Sequence, residues 1–157
     1  FFSFSGTVIY HLAAFFFLED FFQYWFHRGL HIKAIYPYIH KIHHTFQTPF
    51  SFATDYAHPI ETIVLGMATY FPALMLQPHL FTFYCWIVLR QFDAIITHCG
   101  HHFPTPLDLL PFYGGTRFHD YHHQSWYYNY ASRFTILDKM FGTYRDLPSE
   151  EEKKKLN

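Results

Sequence analysis

Two pentapeptides, "HKIHH" at 40–44 and "HDYHH" at 119–123, repeat the order His-x-x-His-His within one chain. On an α-helix, positions i, i+3 and i+4 share a face. The spacing therefore predicts that His40, His43 and His44 point one way, and that His119, His122 and His123 do the same. Imidazoles are a poor choice for apolar packing, because each brings two ring nitrogens that need partners. They are a good choice for a metal, since neutral imidazole is the commonest metal-binding side chain. Two more groups have helical spacing: "HRGLH" supplies His27 and His31, and "HCGHH" supplies His98 and His102. Ten histidines thus fall into four groups, and His11, His58, His79 and His101 stand outside them.

Scattered polar residues at a membrane surface would account for one such group, but four groups at one spacing call for metal. Ten imidazoles exceed the roughly four to six donors that one ion takes, so two ions are the economical count. Imidazole-only ligation suits zinc, iron, copper or nickel, and the residues leave that choice open. Ligating imidazoles usually donate their second N–H to a carboxylate or carbonyl. Asp20, Asp55, Glu61, Asp93 and Asp120 are the candidates for that role, each alternatively a cap or an ion-pair partner. His58, followed by Pro59, reads either as a residue near the site or as a loop histidine. Cys99 lies inside a histidine group whose imidazoles are better spaced as ligands, and Cys85 reads as a small buried residue.

The chain has 157 residues, which suits one domain. Aromatic residues make up 24% and charged residues 15%. The charged share of an average soluble domain is about 25%. A net charge of −1 offers no electrostatic case for nucleic-acid binding. The sequence opens on Phe1 without a Met, so a missing N-terminal stretch is expected, and 1–18 reads as the end of a transmembrane span. Two apolar runs, 62–76 and 80–97, are separated by "QPH". As helices they would measure about 22–27 Å, close to the ~30 Å thickness of bilayer hydrocarbon. The soluble alternative is a pair of buried core helices. The stretches 45–59 and 103–117 read as loops, and no GxSxG, HExxH or phosphate-binding glycine loop is present.

The expected architecture is an all-α integral membrane protein with a cytosolic, histidine-rich, helical di-metal domain. Its domain spans 19–147 and includes a membrane hairpin at 62–97; 148–157 is a charged cytosolic tail. Two crossings return the chain to its starting side, which lets all four histidine groups meet. Arg28, Lys33 and Lys41 precede the hairpin; Arg117, Arg133, Lys139, Arg145 and Lys153, Lys154 and Lys155 follow it, while the connector has no basic residue. The positive-inside rule then places the histidine side in the cytosol. Lys154 and Lys155 stand where a dilysine signal for endoplasmic reticulum retrieval would stand, an address that works only in the cytosol.

The set HRGLH, HKIHH, HCGHH and HDYHH resembles the membrane fatty acid hydroxylase superfamily, which includes sterol desaturases. The resemblance runs from about Glu19 to Arg145. It takes in "ED" at 19–20, "YIHKIHH" at 38–44, "YAHP" at 56–59, "PFYGGTRFHDYHH" at 111–123, "NYAS" at 129–132 and "DKMFGT" at 138–143. "YAHP" and "NYAS" are similar to the C-4 methylsterol monooxygenase branch; His101 and the "YRD" at 144–146 depart from its pattern. The resemblance implies a non-haem di-iron enzyme of the endoplasmic reticulum membrane. It implies that His27, His31, His40, His43, His44, His98, His102, His119, His122 and His123 bind two irons, with zinc able to replace them in purified samples. It also implies O₂-dependent oxidation of a sterol C-4 methyl group through alcohol and aldehyde to carboxylate. Electrons would come from NAD(P)H through a reductase and a cytochrome b5-type donor, and other sterol C-4 demethylation enzymes are candidate partners. The rivals are sphingoid-base or fatty acid hydroxylation and sterol desaturation, which share the metal set. A zinc-binding membrane protein is the non-enzyme alternative.

Overall fold

The computed structural model describes residues 4–147. Lys154, Lys155 and the rest of the charged tail lie outside the described residues. Helix α1, Phe4–Leu30, has 27 residues and is about 40 Å long. It does not stop at residue 18 but continues through Glu19 and Asp20 into the first histidine group. Glu19, Gln23 and His27 follow one another at four-residue steps, and all three are buried. Burying a charge mid-helix is costly unless it is paired. Glu19 is paired twice: Arg90 Nε lies 2.6 Å from its Oε1, and Arg133 Nη1 reaches its Oε2. Arg133 also meets Asp93 at 2.7 Å, and Asp20 Oδ1 accepts the backbone N–H of Arg133 at 2.8 Å. Asp20 and Asp93 thus tie α1 and the hairpin to the turn at Arg133.

The predicted hairpin forms as two helices, α2 at Pro59–Leu76 and α3 at Leu80–Thr97. Pro59 occupies the first turn, where its missing N–H removes no helical bond. His58 and His79 cap the two helices. His58 Nδ1 accepts from the backbone N–H of Ile60 at 3.1 Å, and His79 Nδ1 accepts from that of Phe81 at 3.2 Å. Helix α2 ends at Gln77 in the left-handed region, φ 44°, so only a three-residue connector joins it to α3. Helix α1 packs mainly along α2. Trp86 of α3 is fully buried, donates from Nε1 to Thr69 O at 2.9 Å, and packs edge-on to Phe16.

Large apolar side chains lie on the outside of the hairpin. Ile63, Met67, Tyr70 and Leu74 form an exposed stripe on α2, and Phe81, Tyr84, Val88 and Phe92 form one on α3. Both helices are long and apolar enough to cross a membrane, and only 22% and 17% of them, respectively, is buried. Most of each helix is therefore exposed in this chain, unlike a core helix enclosed on all sides.

The remaining elements are short. The 40–45 segment is a 3₁₀-helix, not the α-helix its spacing predicts, and the presumed loop 45–59 contains a second one at Ser51–Asp55. The presumed loop 103–117 contains a third, Pro106–Leu109, boxed by Thr105 and Asp108. Helix α4 is Gly115–Ser125 and α5 is Ile136–Met140. Gly114 and Gly115 are required at the entry to α4. A Cβ on Gly114 would lie 2.6 Å from the Phe118 ring, and Gly115 has φ +61°. Asp138 of α5 is buried and accepts from the N–H groups of Tyr130 and Ala131, both at 2.9 Å, and from Thr143 Oγ1 at 2.7 Å. It thereby ties "NYAS" to "FGT". Tyr24, Phe118, Tyr130 and Ala131 form the apolar cluster under that corner. The described residues contain no strand, only an isolated bridge between Tyr113 and Phe134, so the all-α expectation holds for them.

Candidate metal centre

Nine of the ten histidines converge, and they do so in two groups. The first contains His27, His31, His40, His44 and His122; the second contains His43, His98, His119 and His123. Within each group, one candidate ligand atom per residue lies within 4.8 Å of every other. Neither His-x-x-His-His motif serves a single group. In "HKIHH" the i and i+4 residues, His40 and His44, face the first group while His43 faces the second. In "HDYHH" the i and i+4 residues, His119 and His123, face the second group while His122 faces the first. The expectation that each triplet points at one site is corrected accordingly: an i, i+3, i+4 face is wide enough to straddle two adjacent centres.

The nitrogens are placed for a cation. In the first group His27 Nε2 lies 2.9 Å from His40 Nε2, His44 Nε2 lies 3.1 Å from His40 Nε2, and His122 Nε2 lies 3.2 Å from His44 Nε2. In the second, His98 Nε2 is 3.2 Å from His43 Nε2, His119 Nε2 is 2.9 Å from His98 Nε2, and His123 Nε2 is 3.2 Å from His119 Nε2. Ring nitrogens sharing one ion at about 2.1 Å would stand roughly 3.0–3.4 Å apart, close to these separations. The opposite ring nitrogens exclude a hydrogen bond from the His43–His98 contact, where both face carbonyls, while those of His44 and His119 have no partner. His27 Nδ1 faces Tyr130 O at 2.7 Å, His122 Nδ1 faces Tyr128 O at 2.6 Å, and His43 Nδ1 faces Tyr56 O at 3.3 Å. His98 Nδ1 faces Ala94 O at 2.9 Å and His123 Nδ1 faces Phe46 O at 3.2 Å. A carbonyl only accepts, so each Nδ1 must carry the proton. Each Nε2 of a neutral ring then presents a lone pair. Burial favours that neutral form, pushing His43 down to about 4 and His98 to about 3. Converging lone pairs repel one another unless a cation lies between them, so the residues present fit a pair of metal ions.

His40 makes the one carboxylate contact among these rings: its Nδ1 lies 2.8 Å from Glu61 Oε1, and both side chains are buried. Of the six candidates for support, Glu61 alone reaches a ring of either group. Asp20 and Asp93 serve the Arg133 turn, and Asp55 is exposed and accepts from Gln91 at 3.3 Å. His58 caps α2. Asp120 is half-buried with no bond to either group, and burial pushes its carboxyl up to about 6. His102 stays outside both groups. Helix α3 ends at Thr97, so the i, i+4 relation with His98 never forms, and His102 instead lies 3.8 Å from Asp108 on the exposed loop. Cys99 is likewise absent from both groups, its Sγ lying 3.1 Å from His101 O.

Five supporting groups escaped the sequence reading because they are backbone carbonyls, which carry no residue signature. One signal was present. Asn129 sits at φ 62°, a conformation Asn tolerates better than most residues. That turn aims the carbonyls on either side of it, Tyr128 O and Tyr130 O, at His122 and His27. A cavity of about 610 Å³ opens beside the groups, between α1, α2 and α3. His27 and His40 of the first group and His43, His98 and His119 of the second line it.

Relatives share this chain over most of its length. It is 47% identical over 155 residues to a very-long-chain aldehyde decarbonylase of Oryza sativa subsp. indica, covering 94% of this chain and 58% of that protein. It is 46% identical over 145 residues to a methylsterol monooxygenase of Arabidopsis thaliana, covering 88% of this chain and 54% of that protein. The chain therefore spans just over half the length of the curated relatives it matches. No solved structure matches it. The fatty acid hydroxylase family model matches residues 12–143, a stretch that runs from the middle of α1 to the Thr143 bound by Asp138 and holds both histidine groups, and the chain belongs to that family.

Proposed function

We propose that the chain carries the di-iron centre of a C-4 methylsterol monooxygenase. The observation that carries this reading is the cavity itself. It is lined by imidazoles of both groups and by apolar side chains of the hairpin, such as Leu65 and Ile87. Its volume lies within the ~300–1,000 Å³ of small-molecule sites. The iron pair, when bound, supplies the activation of O₂ needed to oxidise an unactivated methyl group. The chain's own residues orient the imidazoles, through Glu61 and five carbonyls, and keep water from the reacting carbon. The first oxidation balances as methyl plus O₂, two electrons and two protons giving alcohol and water. Two further rounds give aldehyde and carboxylate. The electrons come from NAD(P)H through a reductase and a cytochrome b5-type donor. Helices α2 and α3 cross the endoplasmic reticulum membrane, and both ends of the hairpin meet the histidine groups on the cytosolic side. His40 reaches Glu61 near the start of α2, and His98 stands at the end of α3.

A second reading is decarbonylation of a very-long-chain aldehyde, favoured by the 47% identity to the decarbonylase. The two are separated by turnover. Membranes containing the full-length protein, with NADH and O₂, are expected to convert 4-methylsterols to 4-carboxysterols. Loss of long-chain aldehyde with methylsterols untouched would replace the first reading with the second. Full methylsterol turnover in an iron-free preparation would remove the metal.

A further inference from the structure

One polar side chain on the cavity wall has no assigned task. On α1, the buried row Glu19, Gln23, His27 steps along one face. Glu19 is held by Arg90 and Arg133, and His27 by Tyr130 O and the first histidine group. Gln23 sits between them, 8% exposed, and lines the cavity. Its Oε1 is buried and has no hydrogen-bond partner. Buried polar atoms are satisfied in the great majority of cases, so an orphan on a cavity wall points to a partner the cavity receives. Gln23 stands one helical turn, about 6 Å along the axis, from His27. A group hydrogen-bonded to it therefore lies close to the histidine groups.

The chemistry of the amide narrows the partner. A carboxamide accepts through its oxygen and donates through its nitrogen, so it pairs with a hydroxyl or with a carbonyl oxygen. It has nothing to offer a methyl group. A side chain that recognised the unoxidised hydrocarbon would be apolar, and one that bound the final carboxylate would be cationic. Arg90, the cation on this wall, is already engaged by Glu19. We propose that Gln23 is a subsite for oxygen already installed on the lipid, its Oε1 accepting from the hydroxyl of the alcohol and holding it beside the histidine groups for its next oxidation. The proposal rests on the reading of the site as one that oxidises a carbon in successive rounds.

The test uses full-length, metal-loaded protein under anaerobic conditions, wild type and Gln23→Met, a change that keeps length and removes both hydrogen-bonding atoms. Dissociation constants are measured for two pairs: a 4-methylsterol with its 4-hydroxymethyl counterpart, and a long-chain alkane with its primary alcohol. Wild type is expected to prefer the oxygenated member of the sterol pair. Q23M should lose that preference by about three- to tenfold, the worth of a neutral hydrogen bond, while binding the unoxidised member and the metal unchanged. In turnover, Q23M should release more alcohol and less carboxylate. A preference confined to the alkane pair and lost in Q23M would sustain the subsite and overturn the methylsterol reading. Equal weakening of both members of a pair, or no oxygen preference in wild type for either pair, would overturn the subsite.

Discussion

The first histidine group has five imidazoles and a buried carboxylate behind one of them; the second has four, oriented by backbone carbonyls where a partner exists. They also face different surroundings. Three of the four rings in the second group line the cavity, against two of the five in the first. His40 and His122 of the first group and His123 of the second are fully buried. An ion in the first site would be the more strongly held, because an anionic partner raises the basicity of the ring it touches. An ion in the second would be the one with room for substrate and O₂ beside it. The difference teaches that a duplicated motif need not make duplicate sites, since each copy is divided between both groups in opposite proportion.

Adjacent residues test that division most severely. His122→Ala should empty the first site and His123→Ala the second, each lowering iron from about two to about one per chain and activity by at least about 100-fold. Metal analysis with Mössbauer spectroscopy would distinguish the two remaining ions. Identical spectra from the two variants would mean the groups are not separate. Glu61→Ala should act on the first site only, weakening its metal by roughly 10- to 100-fold and leaving the second as in wild type. Competition with a chelator measures this directly, and equal loss from both sites would contradict the asymmetry.

Gly66 bears on the cavity rather than on the metals. It lines the wall from within α2, and a Cβ there would meet only Tyr70, at 3.8 Å. Glycine inside a helix costs about 0.5–1 kcal/mol relative to alanine, so its place here has no packing reason. Gly66→Leu is expected to leave metal content intact and to reduce kcat/KM for 4-methylsterol by roughly tenfold or more through lost space. Gly66→Ala should raise thermal stability. The smallest effect belongs to His102→Ala, which removes only an exposed contact with Asp108 and should change neither iron content nor turnover. A drop in iron to one per chain would return His102 to the ligand set.

Much of the site was legible because metal ligation draws on few residue types and helical spacing is a short-range property. "HRGLH" at the end of α1 brings both its histidines to the first group, whereas "HDYHH" on α4 divides its three between the two. "HCGHH" brings only His98 to a group, because the helix ended one residue before it. Glu61 was named among five carboxylates, but only the approach of α2 to the 40–45 segment singled it out. The buried pairing of Glu19 with Arg90 and Arg133 joins residues about seventy or more positions apart, beyond any local pattern.

The sequence by itself determined that the protein is helical, that an apolar hairpin divides its histidines, and that those histidines are of the type and spacing that could hold metal. Periodicity, composition and donor chemistry are written residue by residue, and none of them requires knowing what lies across the fold. Tertiary structure alone decided which imidazole joins which site, which carboxylate supports one of them, and that Gln23 faces a cavity without a partner. Each of these depends on the meeting of distant segments, where the position of a ring nitrogen is set by the packing of α1, α2, α3 and α4 together and not by its neighbours in the chain.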